Sequence, residues 1–342
     1  MQHATPNSIE FKYKWFDESA IVTGHKTGVG SFDGRVLKIG ELVVESSELY
    51  HFNAEGNVFF LGLIDDEGGF QQVNVEVYGT DVKALEQDIH AGRTSSFANQ
   101  ERERLSQAGE LQSYRDRVCP FCKSTILLTG LPESNQTYCE YCDTLFTADR
   151  NGPVNDERYF RICEGCGMYS RPRQFAVFYF YFLVVTFGFH HDTTIRCSGC
   201  MRWSAWKMVV GNLFGLLGFP FALIQLYRAY SSDKLIGRFA GLDDANVLAR
   251  RKKIDRALEK YDLIMQNVPE NAGVKYNIAF GLLIKHDFES AQTMFEMALD
   301  DCSNYRPAVN GLIRALKFQK KNKEIEAVER VWGYQGDYDV HQ

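Results

Sequence analysis

The feature that most constrains this chain is where its cysteines fall. Eight of nine form four Cys-x-x-Cys pairs, at 119/122, 139/142, 163/166 and 197/200, and Cys302 stands alone. A disulfide within such a pair closes a tiny loop. The first sixteen residues show no apolar leader pattern, so a disulfide framework is not expected. Metal ligation is the better account, because two such pairs grip opposite sides of one tetrahedral ion. The expectation is two structural Zn²⁺ ions. One would be held by Cys119, Cys122, Cys139 and Cys142, the other by Cys163, Cys166, Cys197 and Cys200.

The first set reads Cys119-Pro-Phe-Cys122, sixteen residues, then Cys139-Glu-Tyr-Cys142. Two knuckles joined by a short hairpin make a zinc ribbon, predicted over 118–150. The competing reading is a redox dithiol, since Cys-Pro-Phe-Cys also resembles the glutaredoxin active-site frame. That reading leaves the second pair unexplained. Four thiolates fill the coordination sphere, so the site is structural and implies no catalysis.

The second set brackets an uncharged aromatic insert, Phe175 to Phe189, within a ribbon predicted over 158–206. Fifteen residues fall short of the roughly 20 that a spanning helix needs. A crossing would also part the two cysteine pairs, so the insert must return to the side it left. The two knuckles, the insert and the polar His190-His191-Asp192-Thr193-Thr194 resemble a LITAF-like membrane zinc ribbon over about Arg161 to Trp203. The resemblance implies that the insert dips into one leaflet, with Phe178, Phe180, Phe182, Val184 and Phe187 touching lipid and the zinc sites facing the cytoplasm. The family's proline inside the insert is missing. The insert is also readable as two long β-strands of a soluble ribbon, since Val, Tyr and Phe are strong strand formers.

Met208 to Tyr227 is a second uncharged run, 20 residues long, flanked by Trp203, Trp206 and Tyr227. Within 207–230 it can be a transmembrane helix, a membrane hairpin broken at its glycines and Pro220, or a buried core helix. Either membrane form would put Leu213, Leu216, Phe219 and Phe221 in lipid.

On either side lie ordinary folding patterns. Ile9–Phe16, Arg35–Ile39, Glu41–Val44, Val58–Ile64 and Gln72–Tyr78 read as strands, Asn53 to Gly56 as a turn, and Asp81 caps a helix to about His90. Strands closed by one helix resemble a small pleckstrin-homology-type barrel over 1–91. The Gly24–Gly30 stretch lacks a phosphate-loop ending and reads as a hairpin turn. Residues 92–117 read as a linker or solvated helix. From 241 to 333, Ala257, Ala291 and Ala327 recur 34 and 36 residues apart, with Ala279 and Ala315 in the preceding helices, which resembles tetratricopeptide (TPR) repeats. Residues 334–342 form a tail.

The fold class is therefore multidomain α+β. No catalytic constellation is visible, and Asp65-Asp66-Glu67 fits a solvated turn. The chain is expected not to be an enzyme and to take no small-molecule substrate. Its net charge of −6 argues against nucleic acid as a partner. The function expected is a membrane-associated, zinc-stabilised adaptor that binds a protein or peptide through its TPR groove or N-terminal domain. The alternative is a soluble zinc-ribbon nucleic-acid-binding factor.

Overall fold

The computed structural model describes residues 8–16, 26–64, 69–147, 157–183, 186–212, 218–231, 235 and 237–332, with backbone alone over the described part of 179–193. The chain divides into two compact units, Met1–Gly130 and Leu131–Gln342.

In the first unit, β1 (Ile9–Trp15), β2 (Thr27–Phe32), β3 (Val36–Ile39), β4 (Leu42–Glu45), β5 (His51–Glu55), β6 (Val58–Ile64) and β7 (Phe70–Tyr78) form one antiparallel sheet ordered β4-β3-β2-β1-β7-β6-β5. Strict alternation buries Phe11, Tyr13 and Trp15 of β1 and Val73, Val75 and Val77 of β7 on one face. The supposed turn at Gly24–Gly30 is strand from Thr27 onward. Gly30 pairs with Phe11, whose ring lies 2.6 Å from where a Cβ would stand. Asn53 to Glu55 belong to β5, and the chain turns only at Gly56, which has φ +63°. Helix α1 (Val82–Gln107) starts at Asp81, whose side chain accepts the Ala84 N–H, and buries Leu85 and Ile89 in the sheet's core. Its 26 residues run through most of the segment read as linker or solvated helix. The hairpin β8 (Asp116–Val118) and β9 (Thr125–Leu127) follows.

The second unit opens with three hairpins: β10 (Gln136–Cys139) with β11 (Thr144–Thr147), β12 (Arg161–Ile162) with β13 (Tyr169–Ser170), and β14 (Arg173–Leu183) with β15 (Thr186–Arg196). The aromatic insert is thus a β-hairpin, in register from Arg173↔Arg196 to Leu183↔Thr186. Helices α2 (Ser198–Gly211) and α3 (Phe219–Tyr230) pack against its base. The single-helix reading of Met208–Tyr227 is corrected. Gly211 and Asn212 end α2, and Pro220, at the start of α3, suits a first turn but not a helix interior. The twelve residues of α3 reach about 18 Å, against a bilayer core of roughly 30 Å. Among the described residues no helix is long and apolar enough to cross a membrane.

The C-terminal helices are α4 (Leu242–Arg250), α5 (Ile254–Met265), α6 (Ala272–Ile284), α7 (Phe288–Asp301), α8 (Arg306–Gln319) and α9 (Asn322–Trp332). The links inside successive pairs turn on left-handed residues, Lys252, His286 and Lys320, at a constant step of 34 residues. Ala257 and Ala291 are fully buried at the same step, but the third position falls on buried Ile325, while Ala327 is exposed. The repeat in the last helix is therefore two residues earlier than the alanine pattern suggests. Ala279 and Ala315 are buried in α6 and α8, and Cys302 is packed inside the array.

Candidate metal centres

Among the described residues, two groups of four cysteines bring their sulfurs within 4.8 Å of one another: Cys119, Cys122, Cys139 and Cys142, and Cys163, Cys166, Cys197 and Cys200. All eight are unbridged thiols. Four metal–sulfur bonds of about 2.3 Å in a tetrahedron put neighbouring sulfurs roughly 3.8 Å apart. Cys166 and Cys197 Sγ lie 3.8 Å apart. The donor set and its spacing therefore fit a tetrahedral thiolate-bound metal.

The knuckles are built by a repeated local device. Cys119 N–H donates to Ser124 O and Lys123 N–H to Cys119 O; likewise Cys163 N–H donates to Met168 O and Gly167 N–H to Cys163 O. The residue after the second cysteine is left-handed in three knuckles, Lys123, Asp143 and Gly167, with φ +66°, +55° and +67°. That turn aims both thiols of a pair to one side. The fourth knuckle differs, because Cys197 is the N-cap of α2 and Cys200 lies in its first turn.

The surroundings of the two groups also differ. Beside the first, Ser124 Oγ lies 3.4 Å from Cys122 Sγ and Thr144 Oγ1 lies 3.3 Å from Cys142 Sγ. Beside the second, Arg250 Nη1 donates to Cys200 Sγ at 2.9 Å and the Cys197 N–H donates to Cys163 Sγ at 3.1 Å. Burial alone would lower the Arg250 pKa, but the sulfurs of Cys200, Cys197, Cys166 and Cys163 hold it above its ordinary value. A bound divalent ion with four thiolates carries net charge of −2, which a partly buried guanidinium offsets. Gly199 makes room for this contact, since a Cβ there would run into the Arg250 guanidinium. Ser198 Oγ donates to Asp243 Oδ2 at 2.8 Å, tying the same knuckle to α4.

Three asparagines lock strands of the second unit's knuckles to the helical array. Asn277 Oδ1 accepts the Tyr169 N–H at 2.8 Å while its Nδ2 donates to Tyr169 O at 2.7 Å. Asn304 treats Tyr138 in the same two-point way, at 2.9 and 2.7 Å. Asn246 Nδ2 also donates to Tyr169 O, and Tyr261 Oη donates to Asn246 Oδ1. The Tyr169 ring fits against Gly273, where any Cβ would overlap it. Tyr138 and Tyr169 thereby join the same core as α4–α9.

All eight predicted ligands fall into the two expected groups. The side chains expected to touch lipid divide. Phe178 is buried, its N–H 3.4 Å from Met208 Sδ and its ring edge-on to Phe221 at 6.1 Å. Phe219 is partly buried, whereas Phe221 is exposed. Phe180, Phe182 and Phe187 lie along the hairpin strands, where the backbone alone is described, and Val184, Leu213 and Leu216 fall outside the described residues. Sequence reading missed Arg250 and the three asparagines. The available signal was an asparagine inside an otherwise apolar helical pattern, as at Asn277 within Tyr276-Asn-Ile-Ala-Phe280. No family model, curated protein or solved structure matches the chain.

Proposed function

We propose that the protein is a membrane-associated adaptor stapled by two zinc ions, with the metal sites facing the cytoplasm. Zinc is the ion this donor set selects, since four thiolates in a tetrahedron suit a borderline-soft d¹⁰ cation without redox chemistry. The observation that carries the reading is the second cysteine group. It ties both ends of the aromatic hairpin β14–β15 to one point. A hairpin anchored in this way, apolar in sequence from Phe180 to Phe189 with His190, His191 and Asp192 nearer its base, can enter a lipid surface and return without crossing it, as the likeness to a LITAF-like ribbon implies.

In this reading the six C-terminal helices are a short TPR-like array and the N-terminal sheet with its helix is a pleckstrin-homology-like domain. The array surface that carries Asn246, Asn277 and Asn304 already holds the chain's own Tyr169 and Tyr138. A peptide entering that groove would have to displace them, so we assign partner docking to the N-terminal domain. Fractionation of cells expressing the full chain tests the proposal. Recovery with membranes and release by detergent is expected; recovery wholly in the detergent-free supernatant contradicts it.

A further inference from the structure

A cleft of about 470 Å³ opens where the base of β14 meets α2 and α3. Two arginines line it, Arg173 from β14 and Arg228 from the last turn of α3, together with Gln174, Gln225 and Ser231. Among the described residues its lining contains no acidic side chain. The local sequence is polarised in the same sense. Residues 171–231 contain six Lys or Arg and a single acid, Asp192, within a chain of net charge −6.

Around the cleft, α2 and α3 present apolar side chains to solvent. Tyr227 is 75% exposed, Val210 67% and Trp203 63%, and Phe221, Leu223 and Ile224 are exposed as well. Cations are interleaved with the aromatics: Lys207 Nζ stands 5.1 Å from the Trp203 ring and the Arg202 guanidinium 5.1 Å from that of Tyr230. Trp206 Nε1 donates to Tyr230 Oη at 3.1 Å. Aromatic rings with polar tips beside Lys and Arg suit the headgroup layer of a bilayer. The aliphatic Val210, Leu223 and Ile224 favour lipid over nucleic acid, whose bases would use the rings but leave the aliphatic groups wet.

We infer that this cleft binds the phosphate of an anionic phospholipid headgroup. The two guanidiniums engage the phosphate oxygens. The side-chain amides of Gln174 and Gln225 and the hydroxyl of Ser231 meet the rest of the headgroup, and the exposed faces of α2 and α3 rest in the adjoining interfacial layer. The inference rests on the membrane association proposed above and adds to it a lipid class and a site.

The test is flotation of the full-length, zinc-loaded protein with vesicles of phosphatidylcholine alone and of phosphatidylcholine mixed with phosphatidylserine. Tighter binding to the mixed vesicles is expected, since each basic residue near an anionic surface contributes about 1 kcal/mol. Arg173→Gln with Arg228→Gln weakens binding to mixed vesicles by about tenfold or more and leaves binding to phosphatidylcholine unchanged. Arg228→Gln alone, at an exposed position, gives part of that loss without risk to the fold. Equal binding to both vesicles that neither variant alters overturns the headgroup site while membrane association stands. Binding to neither vesicle overturns both. Release from mixed vesicles by inorganic phosphate beyond that caused by chloride at equal ionic strength is expected, because the free anion competes for the same two guanidiniums; release no greater than with chloride overturns the phosphate contact.

Discussion

The two cysteine groups have the same ligands but different neighbours. Hydroxyls of Ser124 and Thr144 stand beside the first, each two residues from the cysteine it approaches. The second is approached from far along the chain, by Arg250 of α4 fifty residues from Cys200. Its knuckle also begins α2 and reaches Asp243 through Ser198. The first group's sulfurs are approached by hydroxyls of its own turns, and Asn304 ties Tyr138, beside Cys139, to the helical array; in the second, the array reaches a sulfur itself, through Arg250, where hairpin and helix pair also meet. Equal coordination chemistry can carry unequal structural weight.

Removing one cysteine group at a time separates their structural roles. Cys163→Ser with Cys197→Ser removes one zinc and with it a binding free energy on the order of 10 kcal/mol. Hydrogen exchange should then rise in β14–β15, α2 and α4 together. Cys119→Ser with Cys139→Ser also removes one zinc but should leave exchange in α4 near that of the parent. The reverse pattern would invert the assignment.

A smaller effect lies near the first group. His90 of α1 packs edge-on to Phe52 at 4.9 Å. Burial, and then Arg93, lower its pKa from 6.5 to about 4, with Cys122 opposing. The unfolded chain therefore takes up the proton first as pH falls. The stability that neutral His90 allows is complete above pH 6.5 and is lost on the way down to about 4, by up to roughly 3 kcal/mol. His90→Gln should flatten this part of the pH–stability profile relative to the parent chain, as read by urea unfolding. An unchanged slope would show that His90 does not set it.

Next come the asparagine clamps. Asn277→Ala leaves the buried Tyr169 N–H without its acceptor and should cost about 2 kcal/mol in urea unfolding. Asn304→Ala acts in the same way on Tyr138 and should cost somewhat less, since Asn277 also donates to Asn246 Oδ1. The smallest effect sharpens the contrast between the groups themselves. Arg250→Ala should speed zinc loss to a chelator by about tenfold, with Arg250→Lys in between, while Ser124→Ala changes it little. Equal release rates in all three variants would erase the distinction.

Much of this was legible in the chain. Cysteine spacing is local, so the eight ligands could be read from pairs three residues apart. The alternation of Val73, Val75 and Val77 likewise reports a half-buried strand. The aromatic insert stayed ambiguous because the same residues suit a strand pair and a lipid dip, and only the need for Cys163 and Cys197 to meet limited its path. Gly28 and Gly30 read as a turn because the cue for strand lay in Phe11 and Tyr13, which cover them from the next strand. Arg250 and Asn277 were hidden for a related reason: their partners lie 50 and 108 residues away, beyond any local pattern.

We propose that each cysteine group holds one zinc ion and that the second supports the larger structure. Native mass spectrometry of the full chain, paired with metal analysis, counts the bound ions. Two zinc ions are expected on the parent chain, one on each double-serine variant, and a broadened, more highly charged distribution for the Cys163/Cys197 variant alone. A parent chain carrying fewer than two metal ions, or a disulfide within any of the four pairs, would contradict the proposal.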